Sequence, residues 1–233
     1  MHETINFVIE QVKLKSNKER IEFSKKIYPT KLKVFGVVGA DIKEIIKELK
    51  IKTKHLTPIE KINNAKELTN TNIFECQQIA MEFLGRDKKT LKEMQANDFL
   101  YFNKNMDNWV FVDTYSVLLL GYSWRENIIE TGYIRNLLKS PDFWQRRIAI
   151  VSTIALNQSS HGGKGDTKRT LEICSLAIDD HNDMINKALS WALRELSKKD
   201  LVAVADFLKK YESRLHSRVI REVTNKITTG KKN

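Results

Sequence analysis

The sequence is poor in the features that mark disulfide-bonded or zinc-binding proteins. It has only two cysteines, Cys76 and Cys174, and they show no CxxC spacing. Both lie in amphipathic helical patterns, so we expect buried, reduced thiols in a reducing, cytoplasmic environment. The five histidines are scattered along the chain and form no HExxH motif or His/Cys group, so a zinc site is not expected.

Long apolar runs are also lacking. No segment approaches the roughly 20 apolar residues that span a bilayer. Residues 1–15 contain acids where a signal peptide would have an apolar core, so we expect neither secretion nor membrane insertion. The chain of 233 residues is long enough for one large domain, or two small ones, with a substantial hydrophobic core.

Positive charge, by contrast, is in excess. Forty lysines and arginines outnumber 29 acidic residues, which leaves a net charge of +11 and an isoelectric point of about 9.5. In a chain of globular composition, an excess of this size indicates a polyanionic partner, either nucleic acid or an anionic membrane. Charge alone does not decide, because AT-rich bacterial genomes also encode many lysine-rich proteins.

The three prolines and nine glycines fall mostly at boundaries between segments with helical apolar spacing. The stretch TPIE at 57–60 predicts an N-cap, a first-turn proline and a capping box, and SPD at 140–142 repeats the cap-then-proline signal. Three glycines interrupt the pattern at 157–167, NQSSHGGKGDT. We predict helices over 3–14, 17–28, 41–50, 58–69, 73–84, 87–94, 97–105, 107–121, 124–138, 142–156, 168–178, 181–198, 200–211 and 215–228.

The stretch DNWVFVDTY at 107–115 is locally ambiguous. Its β-branched and aromatic residues are typical of a strand, but no hairpin signal or partner strand occurs elsewhere in the chain. An unpaired strand would leave its backbone polar groups unsatisfied, so we interpret the segment as a helix that ends with Gly121 as its C′ residue. In a helix, Trp109 and Asp113 lie one turn apart.

A weak internal repeat supports a stack of helix pairs. The segment SPDFWQRRIAIVSTIAL at 140–156 resembles DHNDMINKALSWALREL at 180–196 in its polar cap, its apolar anchors and its early cation. The period of about 40 residues is typical of HEAT-type helical pairs. We therefore predict an all-α fold.

Four tryptophans, at positions 109, 124, 144 and 191, serve either core packing or nucleic-acid contact. Packing suits Trp124 and Trp144. Trp191 has Lys187 and Arg194 about one turn to either side, and cations around an aromatic ring are common in nucleic-acid grooves. Arg146 and Arg147 form a charged pair that either faces solvent or contacts phosphates.

Asp113 is unusual because carboxylates rarely lie in apolar helical runs unless they are paired. One interpretation is a buried hydrogen bond to the cap of a neighbouring helix or to an arginine. The other is a carboxylate held beside aromatic walls and facing a basic groove. The residues themselves leave both interpretations open.

At these residues the sequence resembles the HEAT-repeat alkylpurine DNA glycosylases of bacteria, the AlkD type. The resemblance is carried by NWVFVD at 108–113, FWQRRIAI at 143–150 and INKALSWALRE at 185–195, of which the last is the most specific. NIFECQQIAMEFL at 72–84 resembles an earlier repeat helix. Similar spacing extends over residues 58–225, while residues 28–49 match more loosely.

The resemblance implies a right-handed α-solenoid of HEAT-like repeats whose concave face holds duplex DNA. A single domain would then span 1–233, with loosely matching helices over 1–57, core repeats over 58–228 and a tail over 229–233. It implies a catalytic carboxylate at Asp113, aromatic walls at Trp109 and Trp191, and DNA contacts at Arg147 and Arg194, with Lys187 and Arg146 as helpers. The family's second acid and its turn proline are replaced here by Val110 and Ala40.

Two hypotheses follow. The first is a monomeric, cytoplasmic DNA glycosylase, at the nucleoid when bound, that excises cationic N3- or N7-alkylated purines from duplex DNA without metal or cofactor. The second is a non-catalytic HEAT-fold protein that binds bent or branched DNA. The joint presence of Asp113, Trp109 and Trp191 favours the enzyme, while Val110 and Ala40 keep the second hypothesis open. A protein scaffold would leave the charge and the Trp/Asp grouping unexplained.

Overall fold

The computed structural model describes residues 2–28, 30–104 and 106–232, and in these the fold is all-α. The one β feature found there is an isolated bridge between Lys33 and Ile73. The α-helices are α1 (His2–Leu14), α2 (Lys18–Ile27), α3 (Gly39–Lys52), α4 (Pro58–Thr69), α5 (Phe74–Gly85), α6 (Lys88–Glu93), α7 (Ala96–Asn103), α8 (Trp109–Tyr115), α9 (Gly121–Arg125), α10 (Thr131–Leu138), α11 (Phe143–Ser152), α12 (Ile154–Asn157), α13 (Thr167–Ser175), α14 (Asp183–Ser197), α15 (Leu201–Lys210) and α16 (Ser217–Thr229).

The chain divides into two compact units, with the boundary between Leu119 and Leu120. In the first unit, α5 packs against α3, α4 and α8. The predicted capping box of α4 is confirmed, because Thr57 accepts from the backbone N–H of Glu60 while Glu60 accepts from that of Thr57. The buried Glu75 of α5 accepts hydrogen bonds from the backbone N–H groups of residues 35–37 and so fixes the loop before α3.

In the second unit, α14 is the central helix and packs against α11, α13, α15 and α16. Its apolar stripe is fully buried: Ile185, Ala188, Leu189, Ala192, Leu193 and Leu196. The predicted repeat has a matching start in both copies, because Asp142 and Asn182 each accept a hydrogen bond from the backbone N–H two residues later. The N-cap of α11 is therefore Asp142, while Ser140 of the predicted cap-then-proline signal accepts from the backbone N–H of Asp142.

The segment 107–115 is confirmed as helical, but the predicted helix end at Gly121 is wrong. A π-helical turn (Ser116–Leu120) follows α8, and Gly121 begins α9. Gly121 is buried and is not among the glycines with positive φ, as a C′ glycine would be. Because almost all of the apolar residues at 117–124 are buried, the chain continues in a helical conformation to Arg125.

Two further predicted helices differ from the structure. The helix predicted over 124–138 begins only at Thr131, because Asn127 takes a left-handed conformation with φ of 59° and the chain turns before α10. The helix predicted over 142–156 is divided at Thr153, whose hydroxyl donates to the carbonyl of Ile150. The other predicted helices agree with the structure to within a few residues at their ends.

The two cysteines are buried free thiols, as expected. Burial raises the pKa of Cys76 and of Cys174 to about 12. Among the described residues, no helix is long and apolar enough to cross a membrane. Pro29 in the loosely matching segment 28–49 and Asn233 in the predicted tail lie outside those residues.

Candidate nucleic-acid interface

The start of α8 is fixed by two polar residues that precede it. The carboxylate of Asp107 accepts hydrogen bonds from the Thr30 hydroxyl at 2.9 Å and from the Lys31 backbone N–H at 2.8 Å. Asn108 is buried and caps the helix by accepting from the backbone N–H of Phe111 at 3.2 Å. The position of α8 in its unit is therefore set before its first turn begins.

The short helix α8 has one buried face and one unburied face. Phe111, Val112 and Tyr115 are buried, and the Tyr115 hydroxyl donates to the carbonyl of Phe99 at 2.9 Å. Trp109 is exposed at 37% and Asp113 is half-buried, so the unburied face carries both. An indole and a carboxylate thus lie one helical turn apart on the same surface of the first unit.

Trp109 is held in place rather than loose in solvent. Its indole N–H donates to the carbonyl of Ile27 at 3.4 Å, and its ring meets the edge of Tyr28 with centroids 6.1 Å apart. Val110, the residue after Trp109, lines a cavity of about 210 Å³ together with Tyr28 and Phe74. Trp109 therefore presents a supported aromatic surface beside Asp113.

The solvent-facing side of α14 is a single narrow strip. From Lys187 to Lys198 every residue is buried except Lys187, Trp191, Arg194 and Lys198, which recur every three or four positions. We call these four residues the α14 stripe. It places three cations along one line on the second unit, with an indole between them, over about 16 Å of helix.

Arg194 in the α14 stripe is held by a buried polar network. Its Nε donates to the Ser190 hydroxyl at 3.2 Å, and that hydroxyl donates to the carboxylate of Glu222 in α16 at 2.5 Å. Desolvation raises the pKa of Glu222. The hydrogen bond from Ser190 and the nearby charges of Lys232 and Arg194 lower it by a larger amount, so the pKa is below its ordinary value. Desolvation lowers the pKa of Arg194. An arginine is effectively always charged in proteins, so the guanidinium stays cationic beside Trp191.

The other predicted DNA contacts differ in their surroundings. Lys187 pairs with Asp183 at 2.7 Å on the surface, and hydrogen bonding to Lys187 lowers the pKa of Asp183. Arg147 is buried and donates to the carbonyl of Met184 at 2.6 Å. Arg146 binds Asp180 at 2.6 Å and so ties the start of α11 to the loop before α14. Both arginines have structural contacts, and their contact with DNA stays a prediction.

The two remaining tryptophans serve packing. Trp124 is 1% exposed, donates to the Thr131 hydroxyl at 3.0 Å and carries the Arg169 guanidinium over its ring. Trp144 is half-buried and packs on Phe143 with ring centroids 4.6 Å apart.

Sequence reasoning missed Lys198 and the supports of Arg194. Lys198 could have been found by following the spacing Lys187, Trp191, Arg194 for one more turn. Ser190 and Glu222 could not, because they are 32 positions apart and only the packing of α14 on α16 brings them together. Within the described part of the chain, no group of three or more His, Cys, Asp or Glu side chains could hold a metal ion.

These observations define an all-α helical protein with a basic, tryptophan-bearing helix surface. The chain belongs to the DNA alkylation repair enzyme family, whose model matches residues 8–227. Among solved structures, it is similar to a protein described as a predicted DNA alkylation repair enzyme from Enterococcus faecalis, with a TM-score of 0.72 and 16% sequence identity over 92% of this chain and 98% of that one. No curated protein is a significant match. Family membership assigns the chain a role in DNA alkylation repair, with DNA as the partner.

Proposed function

We propose that this member of the DNA alkylation repair family is a DNA glycosylase. It hydrolyses the N-glycosidic bond of cationic N3- or N7-alkylated purines in duplex DNA. The observation that carries the proposal is the unburied face of α8, where Trp109 and Asp113 lie one turn apart. In the proposed reaction the protein acts as a monomer and uses neither a metal nor a cofactor.

The chemistry suits a carboxylate that acts without a partner acid. Cleavage of an N-glycosidic bond builds positive charge on the deoxyribose, as in glycoside hydrolysis. An N3- or N7-alkylated purine is already cationic and leaves as a neutral base, so no general acid is needed. Asp113 stabilises the sugar cation and orients the attacking water. The water adds its hydroxyl to the anomeric carbon, and its proton is released to the solvent.

Two tryptophans and several cations bind the damaged DNA in the proposed complex. Indole faces attract a cationic sugar with about 1–2 kcal/mol each when water is excluded, a role that we assign to Trp109 and Trp191. Lys187 and Arg194 contact phosphates of the duplex. Arg147 and Arg146 add further DNA contacts, and they also hold α14 through Met184 and Asp180. Contacts of this kind act on the backbone and sugar of the lesion, so they do not require a tight pocket for a flipped base.

The test is release of free base from duplex DNA that contains one N7-methylguanine. We expect Asp113→Asn to lower the single-turnover rate of release by about 100-fold or more, because one well-placed electrostatic group is lost. The affinity for the same duplex should change little. Glu67→Gln, an exposed substitution in α4 with the same change of charge, is the matched control and should keep the wild-type rate. A duplex with the neutral base hypoxanthine should release nothing.

The alternative function is recognition of bent or branched DNA without catalysis. The observation that favours it is Val110, which leaves the position after Trp109 without the acid that the family carries there. In the same experiment, wild-type protein that binds the N7-methylguanine duplex but releases no base would support this alternative and exclude the glycosylase.

A further inference from the structure

The glycine-rich segment 157–167 forms a turn with a defined backbone conformation, and we call it the glycine-rich turn. Gly162 and Gly165 have φ of 84° and 103°, a backbone conformation that residues with a Cβ atom rarely adopt. A Cβ atom at Gly163 would lie 2.7 Å from the backbone nitrogen of Asn157. The three glycines are therefore needed for the backbone conformation of this turn.

Side chains of nearby helices and of the segment itself stabilise this backbone conformation. The Arg125 guanidinium donates to the carbonyls of Ala155 at 3.1 Å and His161 at 2.6 Å. The amide of the buried Asn157 donates to the Thr170 hydroxyl and accepts from the backbone N–H of Asp166 at 3.0 Å. A turn with this many supports keeps its outward-facing residues in a defined position.

The segment docks on the residue that follows the α14 stripe. Lys199 donates to the Ser159 hydroxyl at 2.7 Å, and a Cβ atom at Gly165 would lie 3.1 Å from the Cβ atom of Lys199. Because Lys198 is the last member of the stripe, the glycine-rich turn lies next to the end of that row of cations.

The outward surface of the turn is cationic. Lys164 is exposed, and among the described residues no ion pair of Lys164 is found. Asp166 is the segment's acidic residue, and its carboxylate binds the side chain of Arg169 at 2.6 Å. The exposed Lys168 is close by in the sequence, and the exposed Lys199 reaches the turn through Ser159, with Lys198 next to it in the chain. These lysines add further positive charge.

We propose that this turn is a second contact for the DNA backbone, in which Lys164 and Lys199 bind phosphates and prolong the line of the α14 stripe. The inference rests on DNA binding by the stripe and concerns duplex that flanks the lesion. The stripe itself covers about five base pairs of rise, so the turn lengthens the bound site.

The test is the double variant Lys164→Gln/Lys199→Gln, with duplexes of two lengths titrated by fluorescence anisotropy over a range of salt concentrations. On the longer duplex we expect affinity to fall about tenfold at low salt and the log–log salt slope to decrease by about 1.8, because two phosphate contacts are lost. On a duplex too short to reach the turn, the wild-type protein and the Lys164→Gln/Lys199→Gln variant should bind with equal affinity. The matched control is Lys139→Gln/Lys209→Gln, which makes the same change of charge at exposed positions in the same unit.

Each outcome has a separate meaning. If wild-type protein binds the longer duplex but the variant keeps its affinity and salt slope, the inference about the turn is overturned. An equal loss in the control variant would also overturn it, because general charge would then explain the effect. If wild-type protein binds neither duplex, the premise of DNA binding by the stripe fails. Thermal unfolding should show that both double variants remain folded.

Discussion

At the scale of single residues, Glu222 supports the candidate interface without reaching its surface. It is 7% exposed and acts on Arg194 through the Ser190 hydroxyl, which must donate to the carboxylate in order to accept from the guanidinium. The orientation of both hydrogen bonds is therefore determined. Removing the acid would leave buried polar groups with one partner fewer.

We expect Glu222 to make stability depend on pH. Its pKa in the folded protein is lower than the ordinary 4.5, so its ionised form is bound more favourably in the folded state. This stabilisation is complete above the unfolded pKa and is lost as pH falls through the folded value. Wild-type protein should thus be more stable than Glu222→Gln at pH 7, and the difference should shrink below about pH 4.5.

The measurement is urea unfolding of both proteins between neutral and acidic pH. Glu212→Gln, at an exposed position just beyond α15, makes the same change of charge and serves as control. A difference between wild type and Glu222→Gln that stays constant over the whole pH range would contradict the prediction.

At the scale of elements, the π-helical turn links the core to the candidate site. Gly85 ends α5, and a Cβ atom there would lie 2.6 Å from the Cβ atom of Leu118 in this turn. Single π-helical turns often occur at functional sites, and this one begins three residues after Asp113. The close approach of α5 thus sets the chain immediately after the proposed catalytic carboxylate.

We expect Gly85→Ala to displace Leu118 and lower the free energy of unfolding by about 1–3 kcal/mol. Base release should fall as well, because the end of α8 moves with the turn. Gly132→Ala in α10 is the matched control, since no atom lies within 4 Å of its added Cβ. It should be neutral or stabilising by about 0.5 kcal/mol. Equal stability of the two variants in urea would contradict this account.

The same elements show what sequence patterns can and cannot predict. Apolar periodicity predicted α14 because a 15-residue helix repeats its buried face over four turns. The predicted helix end at Gly121 is wrong because a glycine at the end of an apolar run is typical of a helix end. Here Gly121 is buried, and the chain continues through it into α9. The resemblance indicated Trp109 and Asp113, whereas the contact of Glu222 with Ser190 exists only through tertiary packing.

At the scale of the whole molecule, net charge by itself did not distinguish a DNA-binding surface from general basicity. Many of the 40 lysines and arginines have ion-pair partners, such as Lys61 with Asp87 and Arg169 with Asp166. What distinguishes the α14 stripe is its arrangement, with cations on either side of an indole on a strip whose neighbours on the helix are buried. Exposed ion pairs such as that of Lys187 are weak, so phosphates can replace the carboxylate.

This arrangement predicts how DNA binding should respond to salt. Each cation that neutralises a phosphate of duplex DNA contributes about −0.9 to the log–log slope of affinity against salt, and about −0.7 on single strands. With Lys187, Arg194 and Lys198 in contact, the slope on undamaged duplex should be about −3 or steeper. The variant Arg194→Gln should reduce the magnitude of the slope by about 0.9, whereas Arg86→Gln, at an exposed arginine in the first unit, should leave it unchanged. A wild-type slope near zero on duplex, or an Arg194→Gln slope equal to that of the wild type, would show that the stripe does not bind the phosphates of duplex DNA as proposed.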